Sequence, residues 1–255
     1  MKLVQPKKHL GQHFLKDENI AENVASLFQN ILDVDQIIEI GPGMGVLTKY
    51  LLDKHPNVLA VEIDSESVNY LTQTFVPKGL KLVEGDFLND NIAKKYLTKN
   101  TGLIGNYPYN ISSQIVFKVL ENTENFLAFA GMFQKEVAQR LVAKEGSKTY
   151  GILSVMLNTY YDTTYEFTVD EHVFIPPPKV KSGVIKCIRK NDFVLPVSKA
   201  LYFDVIKTGF NQRRKMLRNA LSKFNLPESH EFAKLRAEQL GVNDFIKLTK
   251  FIEDK

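Results

Sequence analysis

A chain of 255 residues with 44% hydrophobic content has enough apolar material for one full core and a smaller second unit. Its single cysteine, Cys187, excludes an internal disulfide and a thiolate metal cluster. No apolar run reaches membrane-spanning length, and no hydrophobic signal segment follows the charged N-terminus. The net charge of +4 is unevenly placed: residues 1–16 carry Lys2, Lys7, Lys8 and Lys16 with no acid, and residues 191–255 carry 12 Lys or Arg against 8 Asp or Glu, so two basic segments flank a slightly acidic body.

After the basic tail 1–16, Ile20, Val24, Leu27, Phe28 and Ile31 recur at helical spacing behind Asp17, which predicts a capped amphipathic helix over 17–31. Short β-rich runs then alternate with helical patterns. Strands are predicted at 36–40, 58–63, 80–84, 103–106 and 126–133, and helices around 46–53, 66–75, 111–121 and 134–143, the signature of parallel strands joined by crossover helices. A helix follows at 151–160. The runs 163–169 and 183–189 lack an intervening helix and are candidates for antiparallel pairing at the sheet edge, with Cys187 at a core position in the second. The proline-rich stretch Phe174 to Val180 between them reads as a loop. From about residue 195 the pattern is helical only, which predicts an α/β domain over 1–192 and a small all-helical, basic domain over 193–255.

Glu39-Ile40-Gly41-Pro42-Gly43-Met44-Gly45 follows a predicted strand and opens a predicted helix, where a nucleotide-type ligand meets the backbone of a doubly wound sheet. The second strand ends at Glu62, placed to take both hydroxyls of a ribose, and the third at Glu84-Gly85-Asp86, where a carboxylate can accept from an adenine amino group. This set selects an adenosine-containing ligand. The Gly41, Gly43, Gly45 spacing and the acidic Glu39, which could attract ammonium and sulfonium charge, favour S-adenosylmethionine over a dinucleotide.

The fourth strand ends at Asn106-Tyr107-Pro108-Tyr109, on the same carboxyl edge. An adenine amino nitrogen is a poor nucleophile because its lone pair is delocalised into the ring. Two acceptors aimed at its hydrogens favour the pyramidal form that frees that pair. Asn106 offers a side-chain carbonyl, Tyr107 a backbone carbonyl held by the restriction Pro108 imposes, and Tyr109 a stacking face, with Phe174 a candidate second face or a plug of the sheet edge. Transfer from a sulfonium needs orientation and desolvation and no metal. A base inside a duplex must be flipped or unpaired to enter such a pocket.

With these residues the chain resembles the small-subunit (16S) ribosomal RNA adenine dimethyltransferases of the KsgA (RsmA) type. The resemblance also covers Lys8 to Leu15 at the start, the Phe174 to Ser182 loop and Phe210 to Leu217 near the end. It implies a Rossmann-like class I S-adenosylmethionine-dependent methyltransferase domain with a small helical C-terminal domain. It further implies S-adenosylmethionine contacts at His13, Leu15, Gly41, Glu62, Asp86 and Asn106. The implied reaction is dimethylation of two adjacent adenosines in the 3′-terminal hairpin of 16S rRNA, within the immature 30S subunit. The lone cysteine and the lack of a signal or membrane-spanning run predict, separately, a cytoplasmic protein with no membrane partner, and a monomer is expected. Many members carry Asn where His13 stands and Leu or Ile where Tyr107 stands.

Lys7, Lys8, Arg213, Arg214, Lys215 and Arg218 are the candidate RNA-binding residues, the last four on a helix whose buried stripe is Met216, Leu217, Ala220 and Leu221. The alternatives are a large-subunit adenine methyltransferase conferring macrolide resistance and a non-catalytic ribosome-assembly factor. A nicotinamide oxidoreductase stands further off. If the basic segments contact phosphates, affinity for RNA particles falls steeply with added salt in a filter-binding titration; a flat response removes phosphate contact from the reading.

Overall fold

The computed structural model describes residues 4–31 and 33–255, so Lys2 of the basic tail lies outside the described residues. A short strand β1 (Phe14–Leu15) precedes helix α1 (Glu18–Ala25). Strand and helix then alternate through β2 (Gln36–Ile40), α2 (Val46–Lys54), β3 (Val58–Glu62), α3 (Ser65–Thr74), β4 (Lys81–Glu84), α4 (Asp90–Tyr96), β5 (Thr101–Asn106), α5 (Ser112–Glu121), β6 (Phe126–Gln134), α6 (Lys135–Leu141) and α7 (Ile152–Tyr160). After β7 (Tyr161–Val169), β8 (Phe174–Ile175) and β9 (Ser182–Arg189) come α8 (Lys199–Asn211), α9 (Leu217–Ala220) and α10 (Val242–Glu253).

Seven strands form one sheet in the order β4-β3-β2-β5-β6-β9-β7. The first five in that order are mutually parallel, as the alternation predicts, and β9 runs antiparallel to β6. The connections after β2 run one way along the sheet and that after β5 the other, so a crevice opens between the carboxyl ends of β2 and β5. Both candidate motifs sit at those two ends. Residues of β2 and β3 are buried throughout, as expected of strands covered on both faces. No helix among the described residues is long and apolar enough to cross a membrane.

Several expectations are corrected. The helix expected over 17–31 ends at Ala25 and passes into a 3-10 turn at Ser26–Phe28, although Asp17 caps it as predicted, accepting from the Ile20 N–H at 3.0 Å. Helix α4 was not predicted, because Asp90–Tyr96 offers too short a run to show a periodicity. The proline-rich stretch is not wholly loop: Phe174 and Ile175 pair antiparallel with Leu15 and Phe14, so the N-terminal segment is stitched to it. Cys187 is buried, as its apolar run predicts.

The chain divides into two compact units. One comprises residues up to Ala138 with Thr164–Arg189, and its core gathers Phe28, Leu51, Leu71, Phe75, Ile104 and Phe174 around the sheet. The other comprises Gln139–Thr163 with Lys190–Lys255, so 139–163 leaves the span 1–192 and joins the C-terminal helices. Helix α7 is buried continuously from Ser154 to Tyr160, its polar Ser154, Asn158 and Thr159 all hydrogen-bonded. Within this unit Tyr150 donates to the Leu240 carbonyl, Thr159 bonds the Tyr202 hydroxyl, and Phe210 stacks on Phe245.

Gly131, opposite Gly105 across β5 and β6, has φ +147°, and a Cβ there would lie 2.2 Å from the Gly105 carbonyl oxygen. Gly131→Ala is therefore expected to cost about 3 kcal/mol, roughly 6–12 °C in thermal unfolding followed by circular dichroism. An unchanged melting temperature would contradict this packing.

Candidate active site

The crevice is lined by the glycine loop, the ends of β3, β4 and β5, and the N-terminal segment His9–Phe14. All three loop glycines hold positive φ, but for different neighbours. A Cβ on Gly41 would meet nothing within 4 Å, so this glycine keeps the crevice open. A Cβ on Gly43 would strike the Phe14 ring at 2.7 Å, and one on Gly45 would strike Phe75 at 2.4 Å. Gly45 does not line the crevice; it caps the start of α2 and packs on Phe75, the residue that follows α3, which corrects its expected cofactor contact.

Glu62 ends β3 with its carboxylate buried. Oε1 accepts from the Ile63 and Asp64 N–H groups at 2.9 Å and Oε2 from the Gly43 N–H at 3.0 Å, so Glu62 also ties the glycine loop to β3. Burial raises its pKa, against the pull of those three N–H donors. Asp86 is exposed at the lip of the crevice, with Oδ1 accepting from the Leu88 N–H at 2.9 Å. Glu39 does not face the crevice. Its carboxyl is buried against Thr48, whose hydroxyl donates to it at 2.7 Å, and burial pushes its pKa up to about 8, with Glu62 adding in the same direction. The carboxyl is engaged by α2 and absent from the crevice lining, so the expected direct attraction of cofactor charge is corrected.

Asn106 ends β5, and its Nδ2 donates to the His13 carbonyl at 2.8 Å. Only the amide nitrogen can donate to a carbonyl, so the bond sets which way the group faces and leaves Oδ1 as an acceptor. Pro108 O accepts from the Ile111 N–H and Tyr109 O from Ser112 Oγ, so both those carbonyls serve the turn. The Tyr109 hydroxyl bonds Ser182 Oγ at 2.8 Å, and its ring stands 5.5 Å from the His13 ring. His13 in turn bonds the Pro176 carbonyl through Nδ1 at 2.7 Å. The Tyr107 ring is turned into the sheet and 1% exposed; burial pushes its hydroxyl well above the usual range, keeping it a donor.

The structure brings His13, Gly41, Gly43, Glu62, Asp86, Asn106, Tyr107, Pro108 and Tyr109 to one crevice. Leu15 and Phe174 are excluded from it. Both are core residues paired across β1 and β8, so Phe174 is the plug of the sheet edge and not an available stacking face. Lys7 is committed to an ion pair with the buried Asp64, and at 3.2 Å to Glu66. Against the effect of burial, the Lys7 and Ser67 hydrogen bonds hold the Asp64 carboxyl below the usual carboxylate range.

Arg213 bonds Glu238 at 2.6 Å and the Lys148 carbonyl at 2.8 Å, and Arg218 pairs with Glu228 at 2.6 Å. Arg213 to Met216 form a turn between α8 and α9, so these cations do not share one helix, and Met216 is 41% exposed where a buried stripe was expected. Lys8, Arg214 and Lys215 are exposed.

Sequence reasoning missed Ile63, which follows Glu62 and lines the crevice with its side chain in the open, and Phe87 beside Asp86. An apolar residue next to each acidic strand end was the available signal. Ser182 and Gln134 carried none. Among the described residues no group of three or more His, Cys, Asp or Glu is placed to hold a metal ion.

A family model described as ribosomal RNA adenine dimethylase matches residues 4–253. The chain belongs to that family. It is 55% identical over 257 residues to the ribosomal RNA small subunit methyltransferase A of Flavobacterium johnsoniae, covering 99% of this chain and 98% of that one. A dimethyladenosine transferase from Plasmodium falciparum superposes with a TM-score of 0.81 at 25% identity, over 95% of this chain and 98% of that one. The 23S rRNA methyltransferase ErmE superposes at 0.68 and 21% identity, over 94% and 99%, a likeness of fold. The protein is an rRNA adenine methyltransferase with the Rossmann-like fold of class I S-adenosylmethionine-dependent enzymes.

Folded Glu39 holds its proton up to about 8, where an exposed glutamate releases it near 4.5. Its contribution to stability is therefore complete below 4.5, declines as pH rises and is lost above about 8. Glu39→Gln keeps an acceptor for Thr48 without ionising. It is expected to match the parent in acid and to exceed it by a few kcal/mol, order of magnitude, at about pH 9. Melting curves across pH check this, and two parallel pH profiles would show that the carboxyl ionises normally.

Proposed function

We propose that this enzyme transfers methyl groups from S-adenosylmethionine to the amino groups of two adjacent adenosines in the 3′-terminal hairpin of 16S rRNA. It acts on the immature 30S subunit, as a cytoplasmic monomer and without a metal. The crevice fits the cofactor. Gly41 leaves room against the backbone, Glu62 presents its carboxylate to the ribose hydroxyls, Asp86 accepts from the adenine amino group, and Ile63 and Phe87 supply apolar faces. His13 contributes through its backbone beside Asn106.

The observation that carries the reading is the Asn106 amide, pinned by the His13 carbonyl with Oδ1 left to accept from the target amino group. The Tyr107 carbonyl is the second acceptor, and Tyr109 stacks on the base. S-adenosylmethionine held by Gly41, Glu62 and Asp86 would supply a methyl carbon activated by its sulfonium, and the two acceptors orient the amino nitrogen toward it.

The base approaches through a neighbouring cavity of about 610 Å³ that shares Gly11, Gln12, His13 and Tyr109 with the crevice and adds Gln134, Lys8 and Lys179. Lys8 and Lys179 hold phosphates there, and Arg214 and Lys215 hold them on the second unit. Lys7, Arg213 and Arg218 already have carboxylate partners and contribute less.

Methyl incorporation into undermethylated 30S particles, followed by mapping of the modified nucleotide, tests the assignment. Wild-type protein is expected to mark two adjacent adenosines near the 3′ end, and Asn106→Ala to lose about 10²–10³-fold in rate. A mark confined to large-subunit RNA overturns the substrate, and wild-type turnover by Asn106→Ala overturns the acceptor reading.

A further inference from the structure

Tyr107 stands between two residues that face the substrate, yet its own ring points away from them. Its N–H donates to the Met132 carbonyl at 3.2 Å, its hydroxyl donates to the Ala130 carbonyl at 2.7 Å, and its ring packs on Phe133 and Phe129 at 4.9 and 5.6 Å between centroids. Between these anchor points the ring crosses the cross-strand pair Gly105 and Gly131. A Cβ on Gly131 would lie 2.5 Å from the ring and one on Gly105 3.2 Å from it, so the tyrosine occupies the space that two side chains would otherwise fill. An aromatic side chain laid over paired glycines is a known way to stiffen a sheet locally. The next residue is Pro108, whose ring restricts the Tyr107 backbone from the other side.

We infer that Tyr107 is a positioning residue: its buried ring, anchored on the Ala130 carbonyl over the Gly105–Gly131 pair, fixes the Tyr107 Cα, so that with Pro108 restricting the backbone beyond it the Tyr107 carbonyl stays aimed at the target amino group. The inference rests on the acceptor reading above. It assigns the side chain a role in rate that the burial of its ring in the sheet conceals. N–H, ring and hydroxyl are held by three successive residues of β6, Met132, Gly131 and Ala130, which fixes the Tyr107 Cα and its side chain, and Pro108 restricts the one remaining rotation, about Cα–C, that aims the carbonyl. A fixed acceptor matters most in the second transfer. Adenosine offers two amino hydrogens, one for each acceptor, whereas monomethyladenosine offers one, so its lone pair is oriented by a single hydrogen bond and any looseness of that acceptor is uncompensated.

The test uses Tyr107→Phe, which removes only the hydroxyl, and Tyr107→Leu, which also vacates the glycine pair, both as full-length protein on undermethylated 30S particles. For Tyr107→Phe we expect kcat to fall about tenfold and the monomethyl-to-dimethyl ratio in nuclease digests to rise, with KM for S-adenosylmethionine and for particles within twofold of the parent. Tyr107→Leu should show a larger loss of kcat in the same direction, and Tyr107→Phe should be the milder of the pair. A Tyr107→Phe enzyme with parental kcat and product ratio overturns the inference, as does a loss in which kcat and both KM values move together with the melting temperature. If Tyr107→Leu fails to fold, Tyr107→Phe decides alone. Asn106→Ala run alongside separates the two readings: parental activity there removes the acceptor scheme itself, whereas an inactive Asn106→Ala beside a fully active Tyr107→Phe removes only the role of the ring.

Discussion

The reversal of strand order between β2 and β5 is the constraint on which the rest of this structure depends. Crossover connections leave β2 and β5 in opposite directions, so the carboxyl ends of these two adjacent strands are not roofed by their own helices. Everything the enzyme needs converges on that gap. The glycine loop leaves β2 and the Asn106 segment leaves β5, and the register that places Ile40 beside Gly105 puts cofactor and substrate chemistry side by side. Parallel pairing of β3 with β2, and of β4 with β3, then brings Glu62 and Asp86 to the same edge.

The gap is closed from outside the sheet. The segment Lys7 to Leu15 crosses it, held by the Lys7–Asp64 ion pair at one end and the Phe14–Ile175 ladder at the other, with the Asn106 amide bonded to its middle. One hydrogen bond therefore does two things: it ties down the N-terminal segment and it orients the Asn106 amide. The same economy holds at Glu62, whose carboxylate staples the glycine loop while it faces the crevice. These couplings constrain the groups at the crevice, which suits a transfer whose barrier is lowered by orientation.

Charge is organised differently from what a linear reading of the basic segments implies. Lys7, Arg213 and Arg218 each have a carboxylate partner, whereas Lys8, Lys179, Arg214 and Lys215 are exposed cations. Glu39 inverts the expectation in the other sense. An acid beside the glycine loop is buried and accepts from Thr48 of α2, with its pKa raised by that burial.

The α/β class, the five parallel strands, the glycine loop, the acidic strand ends and the Asn106 segment were all legible in the chain, because each depends on local period or on residue chemistry at a strand end. Ladder β1–β8, the transfer of 139–163 to the second unit and the burial of Phe174 were not, because they are long-range pairings that no local pattern encodes. The same limit applies inside the site. Gly41 and Gly45 look equivalent in sequence, and only the packed neighbours show that one faces open space and the other Phe75. Sequence alone determined the α/β class and which chemically suited groups stand at the strand ends; tertiary structure decided which of them meet, since burial and strand register, not residue type, set where a side chain points.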